Sequence, residues 1–149
     1  MSEALSYELH KLTARLDAAA DGLLRRGAGV SYARFLALFA VEQTGGSQRD
    51  VARWLRLTEP STSRMVGVLA ADGLLAVDRI PGAGNRRQLK LTDDGARLVE
   101  RCENMLEEWF VELVARSGVP FATYQRHTRR LLAQLDSEQH EAATRSGAA

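Results

Sequence analysis

The chain has 149 residues, with 20 basic and 19 acidic side chains, 45% hydrophobic residues and one cysteine, which fits a single domain able to bury its own core. The lone Cys102 excludes an internal disulfide and suits a reducing compartment. No apolar run reaches the roughly 18 residues of a membrane span, and the charged, periodic start MSEALSYELHKL is unlike a secretory signal, so a cytoplasmic protein is expected.

In chain order, Leu5, Leu9, Leu12, Leu16, Ala19, Ala20 and Leu23 step by threes and fours. They predict an amphipathic helix over 1–27 with a narrow, nearly heptad stripe, which calls for a partner helix. Arg25-Arg26-Gly27-Ala28-Gly29 ends it. Ser31 is placed to cap a second helix running through Glu42. Phe35, Leu36, Leu38, Phe39 and Val41 make that helix apolar over most of its circumference, so it is expected at the buried centre of a lobe. Thr44-Gly45-Gly46 breaks the pattern. Ser47 then reads as an N-cap with Asp50 in the first turn, and Val51, Trp54 and Leu55 form one face of a short helix that Leu57 closes.

After a three-residue turn, Thr58 can cap another helix, with Pro60 in its first turn where a missing N–H costs little. Thr62, Met65, Val66 and Leu69 form its inner face; Glu59, Ser61, Ser63 and Arg64 lie outside. Helix, tight turn and helix, the second opening on small polar residues, is the pattern of a helix-turn-helix, whose second helix enters the major groove N-terminus first. Asp72-Gly73 ends it. Leu74, Leu75, Val77 and Ile80 then read as strand, Pro81-Gly82-Ala83-Gly84-Asn85 as a turn, and Leu89 and Leu91 as the returning strand. Arg86 and Arg87 directly after the turn make this hairpin a basic wing. Thr92, Asp93 and Asp94 open a long helix with an apolar face from Leu98 to Val114, stopped by Gly118-Val119-Pro120. A last helix is expected from about Phe121 to Gln139, with Phe121, Tyr124, Thr128, Leu131, Leu132 and Leu135 inward, and a frayed tail over 140–149.

The charge is unevenly spread. Residues 47–92 hold eight basic and four acidic side chains, whereas the rest holds twelve and fifteen. A basic centre in an acidic frame is the footprint of a focused DNA-binding face.

The run LRLTEPSTSRMVGVLAADGLL, the glycine-and-arginine hairpin and the exit LKLTDDG resemble the MarR family of bacterial transcriptional regulators. Ser63-Arg64, Gly73-Leu74-Leu75 and Leu91-Thr92-x-x-Gly95 carry the likeness most specifically. Where many members have Asp-x-Arg in the wing this chain has Asn85-Arg86-Arg87, and Thr62 stands where the family usually has an apolar residue. The resemblance implies a mostly α fold with a small β-hairpin wing. One MarR-type domain would span 1–149, its winged helix-turn-helix lobe at 30–92 and its dimerisation helices at 1–27 and 93–139. It implies a homodimer on double-stranded DNA with two half-sites about one helical turn apart, and a small-molecule effector pocket that Trp109 or Tyr32 could line.

The expected function is therefore a ligand-responsive repressor. Ser61, Thr62, Ser63 and Arg64 are the recognition-helix candidates: Arg64 for a guanine edge or a phosphate, the hydroxyls for phosphates or bases. Gln48 and Arg49 would contact phosphate at a helix N-terminus, and Asn85, Arg86 and Arg87 would hold the backbone or the minor groove. The alternatives are a regulator without a ligand and a winged helix used for protein–protein assembly. Cys102 reads as a core residue, since a reactive thiolate needs exposure and a lowered pKa. His10, His127 and His140 lack partners at metal spacing. No catalytic set, phosphate loop or cofactor site is expected.

Overall fold

The computed structural model describes residues 2–146. The described residues form α1 (Ser2–Ala28), α2 (Tyr32–Thr44), α3 (Gln48–Leu55), α4 (Glu59–Ala71), β1 (Leu75–Arg79), β2 (Arg87–Leu91), α5 (Asp93–Ser117) and α6 (Phe121–Ser146). They fall into two compact units that divide between Leu106 and Glu107.

The first unit is built round α2, whose Phe35, Ala37, Leu38, Ala40 and Val41 are all buried. Leu24 of α1, Val51 of α3, Val66 and Leu69 of α4, Leu75 and Leu89 of the hairpin, and Val99 and Cys102 of α5 complete one cluster with them. Each large aliphatic side chain removed from water contributes about 1.5–3 kcal/mol. The all-round apolar character of α2 is thus explained by its central position. At the corner between α1 and α2, the Tyr32 N–H donates to Asp21 Oδ1 (2.9 Å) and Arg25 Nε donates to Asp21 Oδ2 (2.6 Å). The Arg25 hydrogen bond first, and then the Tyr32 N–H, hold the Asp21 carboxyl below the usual carboxylate range. Cys102 is wholly buried, and burial pushes its thiol up against the opposing pull of Arg101, so the cysteine belongs to the core.

The helix-turn-helix has the expected three-residue turn, Arg56 to Thr58. Thr58 caps α4 as predicted, its Oγ1 accepting the Ser61 N–H (3.2 Å). Ser47 occupies the N-cap position of α3, but its hydroxyl makes no capping bond. Its backbone is drawn instead into a bridge with Gln88 of β2, and the Leu89 N–H donates to the Gly46 carbonyl at 2.7 Å. Gly46 has φ +91°, and a Cβ there would overlap the Leu89 carbonyl oxygen. This close approach, rather than simple chain breaking, is why glycine stands there. Gly95 has a similar role in the first turn of α5, where a Cβ would overlap the Leu74 carbonyl. Thr92 ties that corner, donating to the Gly73 carbonyl and accepting the Gly95 N–H.

The strands pair antiparallel, Leu75 with Leu91 through Arg79 with Arg87. Leu75 and Leu89 are buried at the base, while Val77, Arg79, Arg86 and Arg87 are exposed towards the tip. The hairpin therefore leaves the core and projects as a wing.

In the second unit, Trp109, Phe110 and Phe121 form a chain of ring contacts at 6.3 and 6.5 Å. Two expectations need correction here. The last helix does not stop at Gln139: it continues to Ser146, through what was read as tail. Gln134 donates to Glu138, the Thr144 hydroxyl to the His140 carbonyl, and Arg145 pairs with Glu141, all one turn apart. These pairs and the alanines sustain the helix. Positions 147–149 lie outside the described residues. Leu131, Leu132 and Leu135, expected inward, are 59%, 55% and 52% exposed. The N-terminal stripe behaves alike, with Leu5, Leu9 and Leu12 exposed.

Candidate nucleic-acid interface

Three elements converge on one open cleft: the N-terminus of α3, the first turn of α4 and the wing. The cleft has a volume of about 540 Å³ and is lined by Ser47, Gln48, Arg49, Asp50, Glu59, Ile80, Asn85, Arg86 and Arg87. Five predicted residues thus come together: Gln48, Arg49, Asn85, Arg86 and Arg87. Local reasons put them there. The bridge from Ser47 to Gln88 fixes the start of α3 against the returning strand, and the Gln88 side-chain amide donates to the Gly45 carbonyl. The wing turn then carries Arg86 and Arg87 to the opposite wall. Gln48 Oε1 is buried without a hydrogen-bond partner among the described residues.

The rest of the predicted set sits on α4, outside the cleft lining. Ser61 and Ser63 are half-buried and Arg64 is exposed. Thr58, Ser61 and Arg64 form a relay, Thr58 Oγ1 donating to Ser61 Oγ at 3.0 Å and Arg64 Nη2 donating to the same oxygen at 3.3 Å. The guanidinium is thereby held along the first turn of the helix. Thr62 is the exception. It is 1% exposed, and its hydroxyl donates to the Thr58 carbonyl one turn back (3.0 Å). It cannot reach DNA, and its assignment as a contact is withdrawn. Back-bonding within the helix satisfies the hydroxyl, which lets threonine stand at a core position.

Charge on this face is mixed. Arg49 lies 3.6 Å from Glu59, and Asp50 is taken up by Arg53 at 3.0 Å. Arg86, Arg87 and Arg64 have no ion pair among the described residues. On the wing, Arg79 stands directly across from Arg87. Like charges opposite each other in a ladder are destabilising, and an anion between them removes that cost. Arg79, Glu59 and Asp50 are missing from the sequence-derived set. Residue identity gives no sign of Arg79, because its significance rests on strand register. Arg49 and Glu59 are ten positions apart and meet across the turn.

The Arg56 backbone in the turn is left-handed (φ 54°), and its N–H closes α3 on the Ala52 and Arg53 carbonyls. A non-glycine residue held in that region is strained.

No protein-family model matches the chain, and no curated protein sequence matches it. Solved structures do. A MarR-family transcriptional regulator from Rhodococcus sp. RHA1 superposes with a TM-score of 0.75 at 20% identity, covering 88% of this chain and 91% of that one. Staphylococcus aureus MepR in complex with DNA gives 0.72 at 23% identity, covering 89% and 96%. The chain has the fold of the MarR-family transcription regulators. NadR in complex with 4-hydroxyphenylacetate, at a TM-score of 0.72 and 20% identity over 88% and 91%, has the same MarR-type fold. In this chain, the MarR-type wing and helix-turn-helix carry the cleft described above.

Among the described residues no three His, Cys, Asp or Glu side chains come together in a way that could hold a metal ion. Among them, too, no helix is long and apolar enough to cross a membrane.

Proposed function

We propose that the chain is a sequence-specific, DNA-binding transcriptional regulator that acts as a homodimer: a cytoplasmic repressor, without catalytic activity, released by a small-molecule effector. The observation that carries the reading is the cleft that brings the N-terminus of α3 with Arg49 and the arginine-bearing wing against the first turn of α4, along which the exposed Arg64 is held. Arginines at a helix N-terminus and on a hairpin are what phosphate binding and groove reading require. Ser63 and Arg64 read base edges or position the helix; Gln48 and Arg49 take a phosphate at the start of α3; Asn85, Arg86 and Arg87 track the backbone beside the wing.

Support for the partners is of two kinds. The exposed leucines of α1 and those of α6 are each an apolar stripe that a second copy would cover, giving two recognition helices for an inverted repeat. MepR with DNA and NadR with 4-hydroxyphenylacetate share the fold, which supports DNA and a small-molecule effector as ligands here. The effector would favour a dimer whose two helices no longer match both half-sites, which requires that it bind the two states with different affinity.

The test is a titration of mixed-sequence duplex DNA at several salt concentrations, with wild-type protein and Arg64→Ala. Three to four arginines on phosphate predict a slope of log K on log salt of roughly −2.7 to −3.6 per subunit, and weaker binding by the variant. Failure to bind any duplex at low salt would overturn the proposal and point to an assembly module.

A further inference from the structure

The proposed DNA face contains one element that opposes DNA: the Glu59 carboxylate. It stands at the first position of α4, the end that would lead into the major groove, and lines the same cleft as Arg86 and Arg87. Its side chain is 64% exposed, so no packing requirement explains a carboxylate there, and its contact is Arg49 at 3.6 Å. The other carboxylate of the cleft, Asp50, is engaged by Arg53 within α3. Glu59 therefore holds an arginine that would otherwise face a phosphate.

Resting on the DNA-binding reading above, we infer that Glu59 is a specificity-determining residue, which masks Arg49 on non-cognate DNA and accepts a hydrogen bond from a cytosine amino group on the cognate site. Two physical arguments lead there. A carboxylate brought against duplex DNA is repelled by the phosphates, which weakens binding to every sequence alike. In the major groove the donor that glutamate accepts from best is the cytosine N4 amino group. On a site with cytosine at the right step, Glu59 exchanges Arg49 for that donor, and Arg49 is freed for a phosphate. On other sequences Glu59 keeps Arg49, and one phosphate contact is not made. Both effects widen the gap between cognate and non-cognate affinity.

The experiment compares wild type with Glu59→Gln by selection from a random duplex library and by salt titrations on unselected duplex. Glu59→Asp serves as a second variant that keeps the charge at the helix N-terminus but shortens its reach, and thermal melting establishes that each variant folds. Wild type is expected to enrich cytosine at one position of each half-site. Glu59→Gln should lose that preference and cut the ratio of selected to unselected affinity by about fivefold or more. Its salt slope on unselected duplex should steepen by about one phosphate as Arg49 is released. Glu59→Asp should lose the cytosine preference yet keep the weak binding to unselected duplex. An unchanged ratio and slope in Glu59→Gln, with wild type still binding DNA, would overturn the role of Glu59 and leave the DNA-binding reading intact. Wild type that binds no duplex would overturn both.

Discussion

Thr62 and Ser63 are neighbours of almost the same chemistry with opposite surroundings. Thr62 is buried with its hydroxyl turned back on the Thr58 carbonyl, whereas Ser63 is half-buried on the polar side of α4. Thr62→Val should therefore leave DNA affinity within twofold of wild type while Ser63→Ala lowers it, measured by fluorescence anisotropy on a selected site; a loss with Thr62→Val would return that residue to the contact set. Gly46 carries a second consequence. Both its φ and the Leu89 carbonyl exclude a side chain, so Gly46→Ala should destabilise the fold by at least about 2 kcal/mol. In a chain of this size that is roughly 5 °C of melting temperature, and a melt unchanged within error would contradict the described packing of the wing base.

At the scale of elements, the wing and the α1–α2 corner make separable predictions. The wing arginines are exposed and unpaired among the described residues, so Arg86→Ala with Arg87→Ala should weaken binding to all sequences and reduce the salt slope by roughly 1–2. Equal affinities at two salt concentrations would remove the wing from the interface. At the corner, the carboxyl of Asp21 is held below its ordinary value. Its stabilising effect is thus complete above the unfolded carboxylate value and fades as pH falls through the lowered folded value. Asp21→Asn should melt below wild type at pH 7, and the gap should narrow as pH falls below 3.8, the ordinary carboxylate value. Legibility differs between these elements for physical reasons. The helix-turn-helix could be read because Thr58, Pro60, Val66 and Leu69 act within one or two turns. The silent hydroxyl of Ser47 could not, because its backbone is claimed by Gln88 from across the lobe. The end of α6 was hidden by small polar residues whose i,i+4 pairing matters more than their composition.

On the scale of the whole molecule, the apolar stripes of the terminal helices are left uncovered among the described residues. Their periodicity was legible, but not which surface covers them, and Leu131, Leu132 and Leu135 remain exposed in a single copy. Covering by a second copy predicts a mass of twice 16.4 kDa by sedimentation equilibrium. Leu131→Glu with Leu135→Glu should return it to one subunit without unfolding, since both positions are already exposed in the single chain. A wild-type chain of one subunit mass would contradict the dimer. The cleft was legible only in part, since its residues come from three elements and meet through the bridge at Ser47 and the register of the wing.

The central claim is that two copies of this face read DNA together. Selection of bound sequences from a random duplex library with the purified full-length protein tests it most directly. The account predicts an enriched inverted repeat whose half-sites lie about one helical turn apart, roughly 10 base pairs. A library that emerges unenriched at low and at moderate salt would contradict it.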